Sequence, residues 1–175
     1  MEIVVSDTNI FIDLYSIGLL DNFFELPLNV HTVDFVINEL TQAQQHSAVS
    51  KFTSLGKLTV KTFDGAELQQ IFDLNNIAGG NVSFQDCSLW YYAQCTGYTL
   101  LTGDGQLRSK AIKSNVTVRG IIYIFDLMVE HQVITPTQAA DKMDDLTKIN
   151  PRLPHTIIRE RIATWRGFAN SLKTD

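Results

Sequence analysis

Between Glu2 and Arg119, short apolar runs of strand length alternate with longer stretches of helical period, and that rhythm admits few folds. Residues Glu2–Ser6 are brief and β-branched, as a buried strand requires. A helix is expected within 9–24, with Asp7 or Thr8 near its N-terminus. Val30–Thr32 forms a second strand, after which Val33, Val36, Ile37 and Leu40 recur at i, i+3, i+4 and i+7, burying one face of a helix. A helix over 43–55 stops near Gly56, and a third strand covers Leu58–Thr62. Asp64 is placed to cap a helix through about Leu74. Gly79-Gly80 marks a loop, and Ser83 opens a helix that Gly97 ends. Tyr98–Thr102 and Val116–Arg119 are the last strands, with a helix over Asp104–Ser114 between them.

Strands that alternate with helices pair in parallel, and the crossovers cover both faces of the sheet. The expected class is therefore α/β with a central parallel sheet. From Gly120 the pattern is helical throughout, over about 120–131, 135–147 and 155–171, with Pro136 in a first turn and Asn150–Pro154 as a break. The 175 residues suit one sizeable core. The expected division is a domain over 1–131 and a helical extension over 132–175 packed on that same domain.

Several function classes are excluded. No run approaches the roughly 18–20 apolar residues that span a bilayer, so no membrane partner is expected. The opening Met-Glu-Ile-Val-Val lacks the basic and apolar regions of a secretion signal. Cys87 and Cys95 are spaced for neither a redox pair nor a zinc ribbon. They are expected as small buried thiols, at home in a reducing cytoplasm. The net charge of −5 argues at first against a nucleic-acid partner. Its distribution matters more: residues 148–175 carry six cations against two acids, a balance of +4 that leaves −9 on the rest. Arg152, Arg159 and Arg166 are candidates for phosphate contact, with a solvated helix face as the competing explanation.

In an open parallel sheet, ligands bind beyond the carboxyl ends of the strands, where strand order reverses. Asp7 follows the first strand directly, and Asp104 lies two residues past the strand ending at Thr102. Glu39 stands late in its helix, beside the apolar stripe, and Asp86 lies in the first turn after Ser83. Four carboxylates in one cleft repel one another and stay ionised together only around a cation. Oxygen donors without His or Cys select Mg²⁺ or Mn²⁺ over zinc, and the four histidines have no ligand spacing. Such a site activates water and shields the oxygens of a phosphodiester. Each acid also has an ordinary explanation. Asp7 and Asp104 suit helix caps or turns, Glu39 a solvated helix, and Asp86 a capping box with Ser83.

The four stretches, taken in order, resemble the PIN domain and, more narrowly, its VapC-like toxins. Val4-Val5-Ser6-Asp7-Thr8-Asn9 is similar to the family's opening strand and first acidic motif, and Val36-Ile37-Asn38-Glu39-Leu40 to its second. Phe84-Gln85-Asp86-Cys87-Ser88-Leu89 resembles the third, with Cys87 where the family usually has alanine. Leu100-Leu101-Thr102-Gly103-Asp104-Gly105-Gln106-Leu107-Arg108 resembles the fourth. The match covers about residues 1–127, and the helical tail looks like a branch with an extra C-terminal region. The resemblance implies a three-layer α/β/α sandwich and Mg²⁺- or Mn²⁺-dependent endoribonuclease activity. Asp7, Glu39, Asp86 and Asp104 would hold the metal, with Asn9 and Thr102 orienting ligands or water. It further implies an RNA substrate, a cognate antitoxin, and a homodimer of toxins.

Two other classes compete. One is a PIN-like module that binds nucleic acid or protein without catalysis. The other is a phosphohydrolase with an aspartyl nucleophile after the first strand, against which Asn9 stands where such enzymes usually carry a second Asp.

Overall fold

The computed structural model describes residues 1–171, with side chains through Phe168; Lys173 and Asp175 of the basic tail lie outside the described residues. The strands are β1 (Glu2–Ser6), β2 (Leu28–Val33), β3 (Leu58–Lys61), β4 (Thr99–Leu101) and β5 (Val118–Arg119). They form one parallel sheet in the order β3-β2-β1-β4-β5. Ten helices accompany them among the described residues: α1 (Thr8–Ser16), α2 (Leu20–Phe23), α3 (Asp34–Glu39), α4 (Ala43–Ser54), α5 (Gly65–Ala78), α6 (Phe84–Thr96), α7 (Gly105–Lys113), α8 (Ile121–Glu130), α9 (Pro136–Ile149) and α10 (His155–Ser171). This is the α/β sandwich with a central parallel sheet that the alternation predicts.

The chain divides into two compact units, one of Met1–Ile12 with Pro27–Ile121, the other of Asp13–Leu26 with the segment from Ile122 onward. The first holds the sheet. Its central strands are buried on both faces, as parallel strands under helices must be: Val4, Val5, Leu100 and Leu101 are inaccessible to solvent. The polar residues among them are satisfied internally, with the Thr32 hydroxyl donating to the Ser6 carbonyl at 2.8 Å. Helix α6 lies against β1, β2 and β4 through a buried face that includes Leu89, Trp90 and Ala93.

The second unit is helical. Its helices α9 and α10 pack closely on each other, and the Phe125 and Trp165 rings stack at 5.7 Å. Asn150 Nδ2 donates to both oxygens of the buried Asp13, at 3.2 and 3.1 Å. Lys142 Nζ reaches the Ile17 carbonyl at 2.6 Å.

The structure corrects the sequence reading in four places. The helix expected within 9–24 is two, because Gly18 turns the chain through a φ of 71° that few other residues adopt. Helix α5 continues past Leu74 to Ala78. Its capping box of Asp64 and Glu67 starts it firmly, and Asn75 is held by a bond to the Val82 carbonyl at 3.0 Å. Cys87 is buried, but Cys95 is exposed near the C-terminal end of α6. The basic tail is partly neutralised, since Arg161 grips Asp126 with two nitrogens, Arg166 faces Asp141 at 3.8 Å, and Lys148 bridges Asp144 and Asp145.

Candidate active site

Strand order reverses at β1, with β2 and β3 on one side and β4 and β5 on the other. Chains leaving β1 and β4 diverge there and open a crevice at the carboxyl ends. The register pairs Ser6 with Leu101, so Asp7 and Thr102 leave the sheet side by side. The Asp7 amide donates to the Leu101 carbonyl at 3.0 Å.

Asp7 is 2% exposed. Its Oδ1 accepts the Ile10 amide at 2.9 Å, capping the first turn of α1, and its Oδ2 accepts the Thr102 hydroxyl. The cap leaves the carboxylate further lone pairs, so the structural role and a ligand role are compatible. Thr102 is fully buried, and its Oγ1 also accepts the Asp104 amide at 3.0 Å. Asp104 in turn caps α7, its Oδ1 accepting the Leu107 amide at 2.7 Å.

Glu39 closes α3 and is exposed; its Oε2 accepts the Thr8 hydroxyl. Asp86 is half-buried in the first turn of α6. It forms the expected capping box with Ser83: its amide donates to Ser83 Oγ at 3.0 Å, and its Oδ2 accepts the Ser83 hydroxyl at 2.8 Å.

A cavity of about 350 Å³ opens among these elements, lined by Asp7, Thr8, Asn9, Glu39 and Asp86. Three of the four acids named from sequence therefore share one wall. Asp104 is outside that lining and is tied to it through Thr102. Every side chain in the lining offers oxygen, with no His or Cys among them, which is the donor set of a hard cation. Among the described residues, no three His, Cys, Asp or Glu side chains are gathered tightly enough to hold a metal ion between them. A hydrated Mg²⁺ needs less, because it commonly takes one or two carboxylates and keeps several waters.

Two residues of the named motifs have roles here that the sequence reading did not give them. Thr8 lines the cavity and binds Glu39, a role that its place between Asp7 and Asn9 in the first turn of α1 could have signalled. Arg108 is half-buried and donates from Nη2 to the Thr102 carbonyl at 2.9 Å. Burial lowers its pKa, the Asp7 charge opposes that shift, and Arg119 adds to it. The candidate phosphate contacts belong to the helical unit. Arg152 and Arg159 are exposed, Arg159 borders a cavity of about 340 Å³ beside His155 and Thr147, and Arg166 carries its Asp141 partner.

A crystal structure of PAE2754 from Pyrobaculum aerophilum is similar in fold, at a TM-score of 0.52 and 17% identity over 72% of this chain and 96% of that one. VapBC2 from Rickettsia felis, bound to a DNA fragment from its promoter, aligns at a TM-score of 0.48 and 17% identity over 67% and 98% of the two chains. FitAcB from Neisseria gonorrhoeae aligns at 0.42 and 15% identity over 66% and 95%. No curated protein matches the chain. The family model described as a PIN domain, DUF3368, matches residues 3–166, nearly the whole sequence, and the chain belongs to that family.

Proposed function

We propose that the protein is a metal-dependent endoribonuclease that hydrolyses RNA phosphodiester bonds at the cavity beside β1. The observation that carries this reading is the shared lining of Asp7, Glu39 and Asp86, three carboxylates brought from separate segments to the switch point of a parallel sheet. Asp7, Glu39 and Asp86 would hold Mg²⁺ or Mn²⁺, with Asp104 contributing through the Thr102 bridge. When bound, such an ion lowers the pKa of a water and neutralises charge on phosphate oxygens. The protein's own part is positional. Thr102 fixes the Asp7 carboxylate, Thr8 fixes Glu39, and Asn9 offers an amide at the cavity wall.

The motif resemblance to VapC-like toxins extends the reading to a toxin of a toxin–antitoxin pair, restrained by a cognate antitoxin and acting as a homodimer in the cytoplasm. Among the described residues no helix is long and apolar enough to cross a membrane.

The test is cleavage of single-stranded RNA with Mn²⁺ or Mg²⁺. Folded Asp7→Asn and Asp104→Asn proteins should lose roughly 100-fold or more, since the members of such sites act as a unit. Normal cleavage by either variant removes that residue from the site.

A second reading, a PIN-like module that binds without catalysis, draws support from the carboxylates' existing bonds. All four are engaged in hydrogen bonds that explain them structurally, and no tight group of three is present among the described residues. On that reading Mn²⁺ does not bind, and Asp7→Asn leaves partner binding unchanged.

A further inference from the structure

We infer that Arg108 is a positioning residue of the acid site and that Gly120 is the notch that admits it. This inference rests on the nuclease reading of the cavity. Arg108 is half-buried next to the residue that follows β4, where long cations are rarely placed without a purpose to offset their desolvation. It donates to the backbone carbonyl of Thr102 at 2.9 Å. The same Thr102 presents its hydroxyl to Asp7 and accepts the Asp104 amide. One guanidinium thus steadies the peptide from which both acids of the β1–β4 crevice are hung.

Gly120 supplies the second, independent observation. A Cβ at that position would stand 2.9 Å from Arg108 Nη2 and 3.6 Å from the Thr102 carbonyl oxygen. Gly120 is not among the residues with positive φ, so its backbone conformation does not demand glycine. The space does. The planar fork of arginine fits there, and the absent side chain at Gly120 leaves its outer nitrogen in line with the Thr102 carbonyl. A lysine at 108 would bring a point charge on a flexible stem and lose that fixed direction.

The order of this relay is Gly120, Arg108, the Thr102 carbonyl, the Thr102 hydroxyl, then Asp7 and Asp104. Perturbing either of its first two members should produce one and the same defect. Arg108→Ala and Gly120→Ala proteins are compared with wild type by amide hydrogen exchange at Asp104, whose N–H donates to Thr102 Oγ1, and by RNA cleavage with Mn²⁺. In each variant the Asp104 amide is expected to exchange about tenfold faster. Cleavage is expected to lose about tenfold in kcat with KM unchanged. The double variant should be no worse than either single one. Millimolar guanidinium should restore Arg108→Ala, whose notch is open, and leave Gly120→Ala, whose notch is filled, unrestored.

Native exchange and kcat in a folded Arg108→Ala protein overturn the inference, as do effects of the two substitutions that multiply. If Arg108→Ala fails to fold, Gly120→Ala, which keeps the arginine, decides alone. The two proposals fail separately. Full cleavage by Asp7→Asn removes the nuclease site while the exchange data still judge Arg108. A dead Asp7→Asn beside a normal Arg108→Ala removes only the positioning role.

Discussion

The Thr102 hydroxyl donates to Asp7 Oδ2 and accepts the Asp104 amide at 3.0 Å, so one buried threonine joins the acid after β1 to the acid after β4. Replacing it by its isostere tests what the junction is worth. Thr102→Val leaves a part-buried amide and a buried carboxylate each short of a partner, a loss of about 1–3 kcal/mol. Urea unfolding should report that loss, and Mn²⁺-dependent cleavage should fall by roughly tenfold or more. Thr102→Ser, which keeps the hydroxyl, should stay close to wild type in both measurements. Equal behaviour of the Val and Ser proteins would show the bridge to be incidental.

Asp86 has two functions that different substitutions separate. Its Oδ2 accepts the Ser83 hydroxyl in the capping box of α6, and its carboxylate also lines the cavity. Asp86→Asn retains a polar cap but loses the charge, so its thermal unfolding should stay near wild type while Mn²⁺ affinity drops. Asp86→Ala should lose the cap as well, at a further cost of about 1 kcal/mol. Parallel melting curves and Mn²⁺ titrations on the two proteins make the comparison. Undiminished Mn²⁺ affinity in Asp86→Asn would assign Asp86 to the cap alone.

Much of this was legible from the chain because it depended on local chemistry. Gly97 and Asp64 punctuate helices as their chemistry requires, and the capping pattern of Ser83 and Asp86 is formed as spaced. The proximity of Asp7 and Asp104 required that β1 and β4 be neighbours, a condition the sequence left open and the register meets. What was not legible depended on long-range packing. The exposure of Cys95 depends on which side of α6 meets the sheet, and the apolar helical stretch hid that side. The ion pairs of Arg161 and Arg166 with Asp126 and Asp141 span 35 and 25 residues, and no local pattern reports them. The value of Gly120 could not be read at all, because it comes from the space a distant guanidinium occupies.

Asp13 provides a pH test confined to the helical unit. Burial raises its pKa above the usual 3.8, and the bonds from Asn150 oppose that rise. The folded state therefore holds the Asp13 proton more tightly than the unfolded chain does. Its contribution to stability is greatest below pH 3.8, declines as pH climbs through the raised folded value, and is level above it. Asp13→Asn removes the titration. The stability of that variant relative to wild type should increase across this window and then stay constant, as read by urea unfolding at a series of pH values. A difference that is flat or falls with pH contradicts the assignment.

The three candidate phosphate-binding arginines should not be equivalent. Arg166 already faces Asp141, whereas Arg152 and Arg159 extend from exposed positions with no ion pair among the described residues. Replacing Arg152 and Arg159 with alanine should weaken single-stranded RNA binding across sequences, lowering the salt slope by about 0.7 for each phosphate that is no longer neutralised. Arg166→Ala should change it least. Fluorescence anisotropy over a range of salt concentrations measures the slopes, and an unchanged slope in the double variant returns both arginines to the solvated surface.

The most direct measurement is calorimetric titration of Mn²⁺ into the wild-type protein and into folded Asp7→Asn and Glu39→Gln proteins. Saturable binding by wild type, weakened at least tenfold in both variants, is the outcome expected if these acids share an ion. No binding by wild type, or equal affinity in all three proteins, would contradict a metal site in this cavity.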